Sequence, residues 1–216
     1  MELIAQFIDI VLHLDKHLTW LVENYGTWVY VVLFAIIYCE TGLIVTPFLP
    51  GDSLLFVAGT LAALGSMDIH LLFAVLVCAS FLGDNTNYWV GRFLGPKVFR
   101  SERSRIFNRQ YLDRTHAFYE KYGPMTIVIA RFMPIVRTFA PFVAGIGRMS
   151  YPRFMAYSFA GSIFWIGFFA YGGYFFGNLP FVKKNLSFFI IGIVFLSILP
   201  GLIAWLRERR RATGRA

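Results

Sequence analysis

Charge is scarce in this sequence: Asp, Glu, Lys and Arg together make up 15% of its 216 residues, where an average soluble domain carries roughly a quarter. With 57% hydrophobic residues the chain is not intrinsically disordered, a state that requires few apolar side chains and many charges. Cysteine is scarcer still. The two present, Cys39 and Cys78, sit in apolar runs, which excludes a disulfide framework and predicts small buried thiols. The histidines, His13, His17, His70 and His116, are scattered, and neither HExxH nor a Cys/His ligand spacing occurs. No metal and no other cofactor is therefore expected. GxSxG is also missing, which removes the nucleophile-elbow signature of a serine hydrolase.

In place of charge there are apolar runs on the scale of a bilayer, about twenty residues for ~30 Å of hydrocarbon. Residues 1–24 carry Ile4, Phe7, Ile8, Val11, Leu14, Leu18 and Leu21 at helical spacing, with Asp9, His13, Asp15, Lys16 and His17 between them. That pattern predicts an amphipathic helix at the membrane surface or against other helices. Glu2 near the start and the lack of a small-residue cleavage site argue against a signal peptide. A membrane domain follows over 25–206, with spans expected at Tyr25–Pro47, Ile69–Phe93, Phe154–Phe176 and Leu186–Leu206. Between them, residues 47–66 and 124–149 are apolar but broken by Pro47, Pro50 and Gly51, and by Pro134, Pro141, Gly145 and Gly147. Such segments suit re-entrant hairpins better than crossings. Pro50, Gly51, Pro141 and Gly145 are the residues expected to let the hairpins turn.

A repeat supports the hairpins. FVAG occurs at Phe56–Gly59 and again at Phe142–Gly145, and each copy is followed, after roughly one span, by a GxxxG end, GRFLG at Gly91–Gly95 and GYFFG at Gly173–Gly177. Repeated order of hairpin, span and GxxxG is the mark of an internal duplication. Counting crossings makes the two hairpins enter from opposite faces. The chain is thus expected to be an all-α polytopic membrane protein: an inverted repeat with two opposed re-entrant hairpins, about four spanning helices and an N-terminal amphipathic helix. Inverted repeats with broken helices are transporter architecture, with the substrate site at the repeat interface.

The net charge of +8 invites a nucleic-acid reading, but apolar runs interrupt every basic cluster, and no nucleic-acid partner is expected. The stretch 96–123 holds seven basic and three acidic residues, the tail 207–216 holds five and one, and together they account for the whole excess. The positive-inside rule places both in the cytoplasm, along with both termini, Arg148 and Arg153. Lys183 and Lys184 fall on the other side.

The charges that cancel are more informative. Glu40, Asp52, Arg131 and Arg137 lie inside apolar segments, where a charge costs roughly 2.5 to 3.5 kcal/mol on insertion scales, so they should pair or line a wet cavity. As structural ion pairs they would tie the hairpins together. As a site, Arg131 and Arg137 would bind phosphate or carboxylate oxygens, and Glu40 and Asp52 would serve as proton-coupling groups, because desolvation favours the protonated form of a carboxylate. Asp84, in LGDNTNYW, is a secondary candidate for an interhelical hydrogen bond or a proton relay.

The segments CETGLIVTPFLPGDSLLFVAG and RFMPIVRTFAPFVAG resemble the two motif regions of the DedA family of bacterial inner-membrane proteins, within the VTT-domain superfamily. The resemblance covers nearly the whole chain. It implies a multi-pass inner-membrane protein that translocates lipid, with undecaprenyl phosphate recycling as the role of several members, dependence on the proton motive force, and support of envelope integrity and cell division. It also implies that Glu40, Asp52, Arg131 and Arg137 match the family's required acidic and basic positions. The partners expected are a polyprenyl phosphate or phospholipid and protons, with a homo-oligomer open. Two rival classes remain at this point. An intramembrane enzyme could use Gly51-Asp52 and Gly83-Asp84 as an aspartyl-protease pair, although the full GxGD form is absent, or act as a lipid phosphatase, although no histidine lies in either hairpin. A non-transporting membrane scaffold is the other.

Overall fold

The structure, a computed structural model, describes residues 14–43, 51–98, 123, 125–177, 179–184 and 192, and every regular element among them is helical. The first part of the predicted amphipathic helix, Pro47 and Pro50, the basic stretch beyond Val98, the span at 186–206 apart from Gly192, and the tail 207–216 lie outside the described residues. The elements are α1 (Leu14–Tyr25), a 3-10 turn (Gly26–Trp28), α2 (Val29–Gly42), α3 (Gly51–Ala63), α4 (Ile69–Val98), α5 (Met125–Ala130), α6 (Pro134–Ile146), α7 (Tyr151–Phe176) and α8 (Pro180–Lys184).

Three segments among the described residues are long and apolar enough to cross a membrane: Lys16–Gly42, Ile69–Leu94 and Tyr151–Phe176. The first begins inside the stretch expected as an amphipathic helix at the membrane surface or against other helices, because α1, the turn and α2 run on from one another. Gly26 takes φ +51° between them, a conformation that glycine tolerates and other residues resist. α3 and α6 have 13 residues each, about 20 Å at 1.5 Å per residue, short of the ~30 Å of hydrocarbon. On α7 Phe159, Ile163 and Phe164 are exposed while Ser158 and Ser162 are buried. An apolar exterior over a polar interior suits a lipid solvent. Cys78 is likewise exposed and Cys39 half-buried, so the expectation of two buried thiols fails: an apolar residue on a spanning helix faces lipid as readily as protein.

The helices gather into two compact units, neither continuous in sequence. The first contains α1, α3 and the end of α7 from Phe168. α1 packs on α3, which is buried at every position from Gly51 to Ala62. Close approach of α3 to α7 depends on glycine. A Cβ on Gly59 would run into the Ala170 carbonyl, and one on Gly173 into that of Phe56; both obstacles are backbone and cannot swing aside. Thr60 Oγ1 closes the joint, lying 3.0 Å from the Phe56 carbonyl oxygen and 3.3 Å from that of Gly173.

The second unit contains α2, α4 from Leu71, α5, α6 and α7 up to Gly167. Tyr88, Ile127, Ala144 and Phe154 form its apolar core, and the Tyr88 hydroxyl donates to the Met149 carbonyl at 2.6 Å. The same glycine joint recurs here. A Cβ on Gly91 would strike the Phe142 carbonyl and one on Gly145 the Tyr88 carbonyl. The FVAG of each repeat is therefore seated on the GxxxG end of the other repeat, once in each unit. Glycine-mediated contact of this kind is how membrane helices pack without a hydrophobic driving force between them.

This corrects the roles given to Pro141 and Gly145. Neither marks a turn: α6 runs through both, and the chain breaks earlier, at Arg131–Met133. Pro134 stands in the first turn of α6, where its missing N–H is no loss. Gly145 serves helix packing. Gly51 opens α3.

Candidate functional site

Two buried ion pairs occupy the interior of the second unit. Arg131, in the break between α5 and α6, is 3% exposed, and its Nη2 donates to Oδ2 of Asp84 on α4. Three hydroxyls surround this pair. Arg131 Nη1 donates to Ser80 Oγ at 2.6 Å, and Nη2 also reaches the Ser158 carbonyl at 3.0 Å and Ser158 Oγ at 3.3 Å. Ser158 Oγ donates to Asp84 Oδ2 at 2.7 Å, and Ser162 Oγ lies 2.9 Å from the Ser158 carbonyl oxygen and 3.3 Å from Ser80 Oγ. Room for the arginine comes from Gly161, where a Cβ would lie 2.7 Å from Arg131 Nε and 2.9 Å from its Cδ.

The second pair joins α6 to α2: Arg137 Nη2 donates to Glu40 Oε1. Both side chains are at most 2% exposed. The Arg137 guanidinium carbon sits 4.6 Å from the centroid of the Trp165 ring, a cation–π contact strengthened by desolvation. Asn87 on α4 braces the pair. Its Nδ2 donates to the Thr41 carbonyl at 3.2 Å and the Thr138 carbonyl at 2.6 Å, each one residue beyond a member of the pair. α2 and α4 themselves meet glycine to glycine, a Cβ on Gly42 falling 3.2 Å from Gly83 Cα.

Both elements on which these groups lie show one register. Ser80, Asp84 and Asn87 on α4, and Ser158, Ser162 and Trp165 on α7, are spaced i, i+4, i+7, which puts each set on a single helix face. Removing a charge from water costs several kcal/mol per ion, and losing one partner of a buried pair costs about 3–5 kcal/mol, so the two members of each pair hold one another in place.

Sequence reasoning set Glu40, Asp52, Arg131 and Arg137 as the primary group and Asp84 as secondary. The structure places Asp84 on Arg131 and Glu40 on Arg137. Asp52 lies buried in the first turn of α3, in the first unit. Ser80, Ser158, Ser162, Asn87 and Trp165 were not singled out as site residues; the i, i+4, i+7 stripes of polar residues in otherwise apolar helices are the signal that would have found them. Among the described residues no cluster of three or more His, Cys, Asp or Glu side chains could hold a metal ion.

The VTT domain family model matches residues 49–175, a range that takes in Asp52, Asp84, Arg131, Arg137 and the serines. The chain is 55% identical over 214 residues to Protein DedA of Escherichia coli strain K12, covering 98% of each chain. It is 48% identical over 169 residues to an uncharacterized membrane protein of Mycobacterium leprae, covering 78% of this chain and 76% of the relative. To the inner membrane protein YghB of Escherichia coli it is 35% identical over 158 residues, covering 73% and 72%. No solved structure matches the chain.

Proposed function

The chain belongs to the DedA family of VTT-domain inner-membrane proteins, and from that premise we propose that it carries a phosphate-bearing lipid, such as undecaprenyl phosphate, across the bacterial inner membrane in a proton-dependent cycle, supporting envelope integrity. The observation that carries this reading is the pair of arginines buried within an apolar body, each held by a carboxylate. Each pair is neutral as it stands. A phosphate that takes over an arginine displaces the carboxylate, and leaving that carboxylate charged and alone would cost about 3–5 kcal/mol. A proton arriving with the phosphate removes this penalty. Lipid entry and proton uptake are thereby coupled without any covalent step, and the protein acts as a carrier and not as an enzyme.

In this scheme Arg131 and Arg137 bind the phosphate, Glu40 and Asp84 exchange with it, and Asp52 is a further proton-coupling group. α3 and α6 are arms of re-entrant hairpins entering from opposite faces, with both termini in the cytoplasm. Exposed apolar side chains such as Phe159, Ile163 and Phe164 leave the lipid tail in the bilayer while the headgroup crosses.

Reconstitution in liposomes with a fluorescent polyprenyl phosphate tests the reading. Headgroup movement without product formation is expected; cleavage would make the protein an enzyme, and neither movement nor cleavage would make it a scaffold. Glu40→Gln is expected to slow translocation and flatten its pH dependence. If rate and pH profile both match the unsubstituted protein, the coupling scheme is wrong.

A further inference from the structure

We infer that Asp84 is a stand-in for the substrate's phosphate and that Ser158, together with Ser80 and Ser162, belongs to the phosphate-binding site around Arg131. The ligand class rests on the carrier reading above; the donor arrangement stands on its own geometry. Asp84 Oδ2 receives Arg131 Nη2 and Ser158 Oγ together, a guanidinium and a hydroxyl converging on one anionic oxygen. That is a phosphate's donor set as much as a carboxylate's.

Three features mark the cluster as more than a helix fastening. First, the guanidinium is only half used along one edge. Nη2 is engaged, while the neighbouring Nε, fully buried, donates to no acceptor among the described residues. A carboxylate contacting a single oxygen leaves that second tine empty, whereas a phosphate with three terminal oxygens spans both tines and keeps an oxygen for Ser158. Second, Ser158 directs its hydroxyl at Asp84. A serine inside a helix ordinarily bonds back to the carbonyl four residues earlier, as Ser162 does to Ser158 at 2.9 Å. Third, the hydroxyls gather on one arginine. Ser80 and Ser158 touch Arg131 directly, and Ser162 touches Ser80; all three are 0% exposed. Arg137, in contrast, lies against the Trp165 ring, whose face offers a phosphate no hydrogen bond. The two arginines are thus unequal: Arg131 recognises the phosphate through a ring of donors, and Arg137 supplies charge from an aromatic seat.

The test is binding to the detergent-solubilised full chain, read as the ligand-dependent rise of unfolding temperature. Farnesyl monophosphate is the probe, with farnesol and inorganic phosphate as separate arms. Asp84→Asn removes the internal competitor and should bind farnesyl monophosphate about 10-fold more tightly than the unsubstituted protein, one tenfold step being ~1.4 kcal/mol. In the Asp84→Asn background the Ser158 hydroxyl has only the phosphate to serve. Adding Ser158→Ala there should remove most of the gain, and Ser158→Thr should keep it. Protection by inorganic phosphate as strong as by farnesyl monophosphate supports a site that reads the phosphate group alone, and stronger protection by the prenylated form supports a lipid headgroup site. Equal protection by farnesol overturns both. An Asp84→Asn protein that binds no more tightly, or a Ser158→Ala change without effect in that background, also overturns the inference. If Asp84→Asn does not fold, Arg131→Lys keeps the ion pair but lacks the fork, and should weaken binding about 10-fold; unchanged affinity overturns the assignment. Expected binding with no lipid movement in liposomes would sink the carrier and leave the phosphate site standing, while movement with the wrong binding pattern would do the reverse.

Discussion

Replacing Gly145 by alanine adds one methyl group to an interface that has no room for it. The new Cβ would lie 2.9 Å from the Arg92 backbone nitrogen and 3.0 Å from the Tyr88 carbonyl carbon, with the Tyr88 oxygen nearer still. None of these atoms can rotate away, so α6 must retreat from α4 by roughly 1 Å to restore ordinary contact. The Asn87 Nδ2 to Thr138 oxygen distance of 2.6 Å then opens toward ~3.6 Å, beyond hydrogen-bond reach, and Arg137 next to Thr138 is drawn off Glu40. Against this stands a helix-propensity gain of about 1 kcal/mol for Gly→Ala. Overpacking costs about 1–3 kcal/mol, and the lost hydrogen bond from Asn87 to the Thr138 carbonyl a further ~0.5–1.5 kcal/mol. The balance is a net loss of about 0.5–3.5 kcal/mol. Chemical unfolding in detergent measures it, with Gly172→Ala as the control, because nothing lies within 4 Å of a Cβ at that position of the same helix class. Gly172→Ala should match or exceed the unsubstituted protein. If Gly145→Ala does so too, the joint is not close-packed and the reasoning fails.

Two further substitutions probe the braces on the ion pairs. Asn87→Ala should lower unfolding stability by about 2–4 kcal/mol, since two buried carbonyls lose their shared donor; a loss under ~0.5 kcal/mol by denaturant titration would remove Asn87 from the site. Trp165→Leu should destabilise by about 0.5–2 kcal/mol beyond Trp165→Phe, which retains an aromatic face for Arg137. Equal stability of the leucine and phenylalanine variants would mean that the ring acts through its volume alone.

The site was legible where composition alone carries the signal. Glu40, Arg131 and Arg137 stand out because each is a charge inside an apolar run, and such a charge demands a partner whatever the fold. The identity of the partner was not legible. Asp84 faces Arg131 only because α4 presents the Ser80, Asp84, Asn87 stripe to the break before α6, and helix rotation about its own axis is fixed by packing, not by hydrophobicity all round. The same limit explains Pro141 and Gly145. Four breakers in 124–149 predicted a turn, but propensity does not say which one turns the chain and which lets another backbone approach. The tetrapeptide repeat was visible; that each copy is seated on the other repeat's glycines required coordinates.

That exchange of partners sets an order on assembly. Thr60 and the Gly173 carbonyl that it meets are 113 residues apart. At a synthesis rate of about 5–20 residues per second, α3 is made on the order of ten seconds before the end of α7 exists to cover it. Asn87 and Thr138, 51 residues apart, meet in roughly half that time. The second unit, with both ion pairs, therefore has all its helices on hand while α3 still waits for its glycine partner. A chain truncated between Gly167 and Gly173 would hold every residue of the charged centre and lack the glycine partner of α3.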